Sequence, residues 1–174
     1  MMTKSQTSLR MTKNTIVGDS SPLIALSIIQ QLELLPKLYQ RVVIPQKVWE
    51  EITVYGAGLP GALAISQLDW LIIEKPEPDL LKPLSILLDP GEAEAIALAI
   101  NLPGCTVLLD DAQARRVAER FGVNRIGTLG ILRRAKKAGL IDAIKPYTVQ
   151  LQKNGIYIRQ SLIDAVLHDA GELS

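Results

Sequence analysis

The sequence predicts an α/β fold, a parallel sheet with helices on both faces. Two observations carry this. Short β-rich apolar runs alternate with helical stretches from Thr15 to Gly139, which is the pattern of strands joined by helical crossovers. Two of the runs, Thr15-Ile16-Val17-Gly18 and Cys105-Thr106-Val107-Leu108-Leu109, end directly on acids, Asp19 and Asp110-Asp111. The carboxyl ends of strands are where open α/β sheets bind their ligands. The chain has 174 residues, 48% of them apolar. That suits one domain with a real core. We expect a flexible basic tail over residues 1–14 and a single domain over 15–174, with no internal repeat.

The elements follow in order. Thr15 to Gly18 is a buried strand. Ser20-Ser21-Pro22 then turns into a helix, with Ser21 as its cap and Pro22 at its first position, where a missing N–H costs nothing. Leu23 to Leu38 reads as apolar helix, broken at Pro36. Arg41 to Ile44 is a strand closed by Pro45. Gln46 to Tyr55 is a helix, because Val48, Ile52 and Tyr55 recur at i, i+4, i+7. Gly56 to Gly61 is a loop, followed by a short helix and the strand Trp70 to Ile73. Pro76, Pro78 and Pro83 mark a loop within the domain, one that could border a substrate groove. Glu92 to Asn101 is a helix so apolar after its first turn that it must be buried on most sides. Beyond the strand 105–109 come a basic helix Ala112 to Phe121, a strand Val123 to Ile126, and a basic helix from Gly127 to near Gly139. One or two more helices lie around Ile156-Tyr157-Ile158.

Composition narrows the setting. A single cysteine, Cys105, allows no internal disulfide and fits a reducing, cytoplasmic location. No apolar run approaches the roughly 20 residues of a membrane span. The first 14 residues are polar with three basic side chains, and Asp19 interrupts the apolar stretch beyond, which does not describe a signal peptide. The net charge of +1 is unevenly placed. Residues 15–111 hold 5 Lys/Arg and 13 Asp/Glu, whereas residues 112–145 hold 9 Lys/Arg and 2 Asp/Glu. An acidic part joined to a basic part suits a hard cation in one and a polyanion on the other, or else solvated helix faces whose signs segregate.

Four acidic places stand out: Asp19, Glu50-Glu51, Glu92 with Glu94, and Asp110-Asp111. Helix geometry separates some of the doubled acids, since each residue advances about 100°. Glu51 then lies about 60° from the centre of its helix's apolar stripe and Glu50 about 160°, so Glu51 borders the buried side and Glu50 faces solvent. Glu92 and Glu94 are about 200° apart and cannot both face one site; Glu92 is nearer the Ile96/Ile100 side. Acids in a helix's first turn also serve simply as caps. Between Asp110 and Asp111 nothing local decides. Converging carboxylates repel one another and need a cation or protons to coexist. Without a His or Cys cluster the donors are oxygens, which suit Mg²⁺ or Mn²⁺ rather than zinc. An acidic metal site beside a basic surface is a layout for phosphodiester hydrolysis; scattered surface acids are the plain alternative. Trp49, Trp70 and Cys105 read as packing groups and His168 as a surface residue.

The ordered segments Asp19-Ser20-Ser21-Pro22-Leu23-Ile24, Ile44-Pro45 with Val48-Trp49-Glu50-Glu51-Ile52, Leu88 to Ala99, Leu108-Leu109-Asp110-Asp111 and Gly127 to Leu132 resemble the PIN-domain family. The match runs from about Ile16 to about Gly139. The resemblance implies a three-layer α/β/α fold around a parallel sheet, an acid cluster binding Mg²⁺ or Mn²⁺, and metal-dependent ribonuclease activity. It further implies a VapC-type toxin of a toxin–antitoxin pair, a homodimer held by a small antitoxin protein. By the same resemblance Asp19 matches the first acid, Glu51 the second, Glu92 the third (usually Asp), and Asp111 or Asp110 the last. Asp19, Glu92 and Asp111 or Asp110 would hold one or two ions, and Glu51 would orient or deprotonate the attacking water. Ser20 or Ser21 would hold Asp19 or a water on the metal. Thr128 would cap its helix or touch the metal. Arg115, Arg116, Arg120, Arg133, Arg134, Lys136 and Lys137 are candidate RNA contacts, although Arg133-Arg134 and Lys136-Lys137 cannot all face one groove.

Two other readings exist. A non-catalytic module of the same fold would grip RNA or protein without cutting. An aspartate-nucleophile phosphohydrolase also has Asp after its first strand, but it needs Asp-x-Asp, and Ser21 stands at the second place.

Overall fold

A computed structural model of the protein describes residues 14–173. The expected basic tail lies outside the described residues except for Asn14. The Asn14 carbonyl accepts the amides of Gln40 and Arg41 at 2.9 and 3.3 Å.

Strand β1 (Thr15–Gly18) is wholly buried because it sits at the centre of the sheet. Its neighbours are β2 (Arg41–Pro45) and β4 (Thr106–Leu108), with β3 (Leu71–Glu74) and β5 (Asn124–Ile126) at the two edges. All the pairings are parallel, in the order β3-β2-β1-β4-β5. The chain therefore builds outward from β1 on one side, then crosses and builds outward on the other. The gap between β1 and β4 is the point where the direction of winding reverses, and such a point opens a crevice at the carboxyl ends of its strands.

Strand alternation divides the core in two. Ile16, Val42, Ile44 and Leu108 face one apolar layer, and Val17, Val43 and Val107 face the other. The three inner strands β1, β2 and β4 are buried over most of their length, which is why they read as apolar runs, whereas edge strand β5 is exposed and polar at Asn124 and Arg125. The first layer holds α1 (Ser20–Ile28), α2 (Leu34–Leu38), α3 (Gln46–Thr53), α4 (Ala62–Ser66), α8 (Thr128–Lys137), α9 (Lys145–Lys153) and α10 (Gln160–Asp169). The second holds α5 (Leu81–Ser85), α6 (Pro90–Asn101) and α7 (Ala112–Arg120). This is the expected three-layer α/β/α arrangement.

Several boundaries differ from the sequence reading. Helix α1 begins at Ser20, with Asp19 as its N-cap residue, so Ser21 does not cap it. Pro22 falls in the first turn, where its missing N–H is still not needed. The apolar stretch 23–38 breaks at a turn through Gln30, whose φ is +57°, and not at Pro36, which lies in the first turn of α2. Tyr55 lies past the end of α3 and is exposed, so it leaves that helix's apolar stripe. The proline-rich segment is not a bare loop. It forms a 3₁₀ turn (Pro78–Leu80) and then α5, because Leu84 inserts into the second core. Ile156-Tyr157-Ile158 lies in the connector between α9 and α10, the two helices expected around it. Among the described residues, no helix is long and apolar enough to cross a membrane.

Candidate active site

Asp19 stands where β1 stops. Its amide donates to the Leu108 carbonyl at 3.2 Å, which ties the strand exit to β4 at the winding switch. Its side chain is only 5% exposed. Burial, the largest cause, pushes its pKa up to about 7; the Ser20 amide pulls it down, while the charges of Glu92, Asp89 and Glu51 add to the rise. Glu92, half-buried in the first turn of α6, is also pushed up to about 7. Burial leads again, followed by the charges of Asp89 and Asp111, with the Asp89 amide opposing and Glu51 adding further. Asp19, Glu51, Glu92, Asp111 and Asp89 thus share one electrostatic neighbourhood. Among the described residues, none of the ion pairs reaches it.

The second acid is held from two sides. Ser20 donates its hydroxyl to Glu51 Oε2 at 2.7 Å, so its side chain positions Glu51 while its backbone amide acts on Asp19. Gly91 on α6 packs against the same carboxylate, and a side chain there would collide with it. Glu50 is half-buried, not solvent-facing, and takes Gln46 Nε2 at 3.2 Å, one turn back on its own helix.

The doubled acids separate by role. Glu94 turns to the start of α3 and accepts the Lys47 amide at 3.2 Å, whereas Glu92 stays with Asp19. Asp111 caps α7 by accepting the Ala114 amide at 2.8 Å while its charge bears on Glu92. Asp110 grips α8 instead. It accepts the Thr128 amide at 2.8 Å and the Thr128 hydroxyl at 2.6 Å. Thr128 therefore caps nothing itself; a carboxylate from the neighbouring strand exit caps its helix. Sequence reasoning missed Asp89. It is the N-cap of α6 in a reciprocal capping box with Glu92, with bonds of 2.9 and 3.4 Å. The spacing Asp89-Pro90-Gly91-Glu92 was the available signal.

A groove of about 710 Å³ is lined by Ser21, Asp110, the N-terminus of α8 and the 156–159 connector; Asp110 is the one candidate acid that lines it. Arg115 and Arg133 line it, and so do Arg125 and Arg159, which sequence reasoning did not single out. Three of the expected RNA contacts are tied within the chain. Arg133 pairs with Asp169 at 2.5 Å, Arg134 donates to the Tyr39 hydroxyl at 2.7 Å, and Lys136 reaches the Ala170 carbonyl and Glu172 at 2.7 and 3.0 Å. Arg116, Arg120 and Lys137 are exposed. Lys137 faces a larger hollow of about 1040 Å³ at the outer edge of β5, which none of the clustered acids lines. The Pro76–Pro83 segment does not border the groove, whereas buried Cys105 and exposed His168 stand as expected.

The donor set fits a hard divalent cation: every side chain is an oxygen ligand, and the mutual repulsion would be offset by positive charge. Among the described residues, no three acids are placed to enclose an ion as they stand, so side chains would have to turn inward to hold one.

A five-stranded parallel sheet with acids gathered at its winding switch defines an α/β/α domain with a candidate acidic site at the strand exits. This chain belongs to the PIN-domain family, whose model matches residues 15–172. Members of that family are generally nucleases and typically use divalent metals. No curated protein matches the chain.

Proposed function

We propose that this protein is an Mg²⁺- or Mn²⁺-dependent endoribonuclease. The observation that supports it is the shared burial and repulsion of Asp19 and Glu92 at the winding switch, with Glu51 held beside them. In this reading Asp19, Glu92 and Asp111 hold the metal, with Asp110 as the adjoining anchor. A bound divalent cation supplies Lewis-acid charge for the phosphate and for the attacking water. Glu51, fixed by Ser20, accepts the water's proton, and groove arginines hold the RNA backbone. In-line attack leaves 5′-phosphate and 3′-hydroxyl ends. The toxin role belongs to the same proposal: a VapC-like homodimer, acting in the cytoplasm and held by a small antitoxin. It rests on the sequence resemblance.

Purified protein should cut single-stranded RNA with Mn²⁺ or Mg²⁺ and stop with EDTA. Unchanged cleavage by Asp19→Asn would sink the ligand assignment. The non-catalytic alternative has one observation in its favour. Glu92, Asp110 and Asp111 each engage backbone amides, work that a purely structural acid would do. Calorimetric metal titration separates the two, because a non-catalytic binder shows no metal uptake that depends on Asp19.

A further inference from the structure

Strand β5 leaves one side of its backbone open. It lies at the edge of the sheet and, among the described residues, pairs with β4 alone. Asn124 and Arg125 are exposed and Ile126 is half-buried. One bond tells which peptide groups face outward. The Leu109 amide donates to the Ile126 carbonyl at 2.9 Å, so Ile126 turns its peptide groups toward β4. Peptide groups alternate sides along a strand, so Arg125 turns its own N–H and C=O to the outside. Its guanidinium is drawn off to Glu119 at 3.2 Å. An open strand edge of this kind is a template for a further strand.

The hollow of about 1040 Å³ lies beside that edge. Val123 to Ile126 form its strand wall, and α8 contributes Arg133, Arg134 and Lys137. Arg133 is neutralised by Asp169, as Arg125 is by Glu119. Arg134 and Lys137 are three residues apart and therefore neighbours on the helix surface. Neither has an acid partner among the described residues. Arg134 donates to the Tyr39 hydroxyl, which leaves its charge intact. The hollow thus joins open peptide groups to two uncompensated positive charges.

That charge decides between occupants. Residues 1–13 of this chain carry Lys4, Arg10 and Lys13 and no acid, so the hollow repels them. A second copy joined edge to edge about a two-fold axis would set the same two charges against themselves. Nucleic acid matches the charge but brings no row of peptide groups to the strand. An acidic extended peptide matches both features, because its backbone pairs with Arg125 and its carboxylates reach α8. Successive side chains of a strand point to opposite faces, so those acids stand at every second position.

We propose that the β5 edge and α8 dock an extended segment of another protein, acidic at alternate positions, as a sixth strand of the sheet. The proposal goes beyond the reading of the acid cluster, none of whose members lines the hollow.

The test is fluorescence anisotropy on the full chain. The probe is a labelled peptide of alternating glutamate and threonine, about ten residues long, the upper end of ordinary strand lengths. A peptide of alternating lysine and threonine is the control. The acidic peptide should bind, less tightly as salt rises, and the basic one should not. Lys137→Glu should weaken binding by about 2- to 25-fold, twice the free energy of one exposed ion pair. Two further acidic peptides carry N-methyl groups, on every glutamate amide in one and on every threonine amide in the other. Whichever of them turns its donors to β5 should lose about 2- to 10-fold for each bond removed. Hydrogen exchange read by NMR reports on the strand itself. The Arg125 amide should exchange freely in the unbound chain and slow when the acidic peptide is added. No binding of the acidic peptide, undiminished binding of both N-methylated peptides, or an Arg125 amide left unprotected would overturn the proposal. So would a wild type that takes no peptide but binds an oligouridylate through Lys137, which would give the hollow to nucleic acid.

Discussion

Asp19 is a buried carboxylate with no basic partner among the described residues, and that combination needs a reason at the level of single atoms. Metal binding supplies one and can be tested without touching the acids. Gly91 lies against the Glu51 carboxylate in the first turn of α6, where alanine suits the helix backbone better than glycine. Gly91→Ala should therefore fold, displace Glu51 and loosen its bond to Ser20. RNA cleavage should fall by about 10- to 100-fold, the usual effect of disturbing a group that orients a metal site. Steady-state cleavage together with an unchanged circular dichroism spectrum would show it. Glu51→Gln should lose more, about 10²- to 10⁴-fold, if Glu51 takes the proton; retained activity would remove Glu51 from the chemistry. The sequence alone marked Glu51 by its helical phase. It could not show Gly91, because close approach between two helices is not written in either helix.

Whole elements are held by Asp110 and Asp111, which the sequence marked as ligand candidates. Asp110 closes the start of α8 through both the amide and the hydroxyl of buried Thr128. Asp110→Ala would strand two buried donors, a loss of about 1–3 kcal/mol. For a chain of this size that lowers the melting temperature by about 2–4 °C per kcal/mol. Thr128→Val keeps the amide bond and should cost less, so calorimetry on the pair separates the two contacts. A neutral result in Asp110→Ala would deny the anchoring role. The strands and their parallel order were legible because two-sided burial writes itself as apolar runs such as Val42-Val43-Ile44. The ends of helices were less legible. Prolines drew attention as breakers, yet Pro22 and Pro36 both sit inside first turns, and Leu84 carries a helix through the proline-rich segment. The real break, at Gln30, had no glycine or proline to announce it. Arg159 joins the groove only because the connector between α9 and α10 lies beside the start of α8, a placement that no local sequence signal carries.

At the scale of the molecule, the gathered acids make stability depend on pH in a definite direction. Asp19 and Glu92 both titrate near 7 in the folded chain, well above the usual carboxylate range. A group that holds its proton more tightly when folded adds stability at low pH and loses it as pH rises through the folded value. For Asp19 and Glu92 the loss spans the range from ordinary carboxylate values up to about pH 7 and is complete above it. The metal-free protein should therefore melt at lower temperature at pH 8 than at pH 6. Asp19→Asn should flatten that slope, because a neutral amide carries no charge to desolvate. Mn²⁺ should act most strongly at pH 8, where both acids are already ionised. At a concentration of about 100 Kd, binding to the folded state alone adds about 2.7 kcal/mol. Differential scanning calorimetry at the two pH values, with Mn²⁺ and with EDTA, measures all of these effects. A wild type that melts no lower at pH 8 than at pH 6 in EDTA would mean that the two acids do not share a buried charge. A normal slope that Mn²⁺ does not offset would mean that the cluster repels without binding, and the non-catalytic reading would then hold.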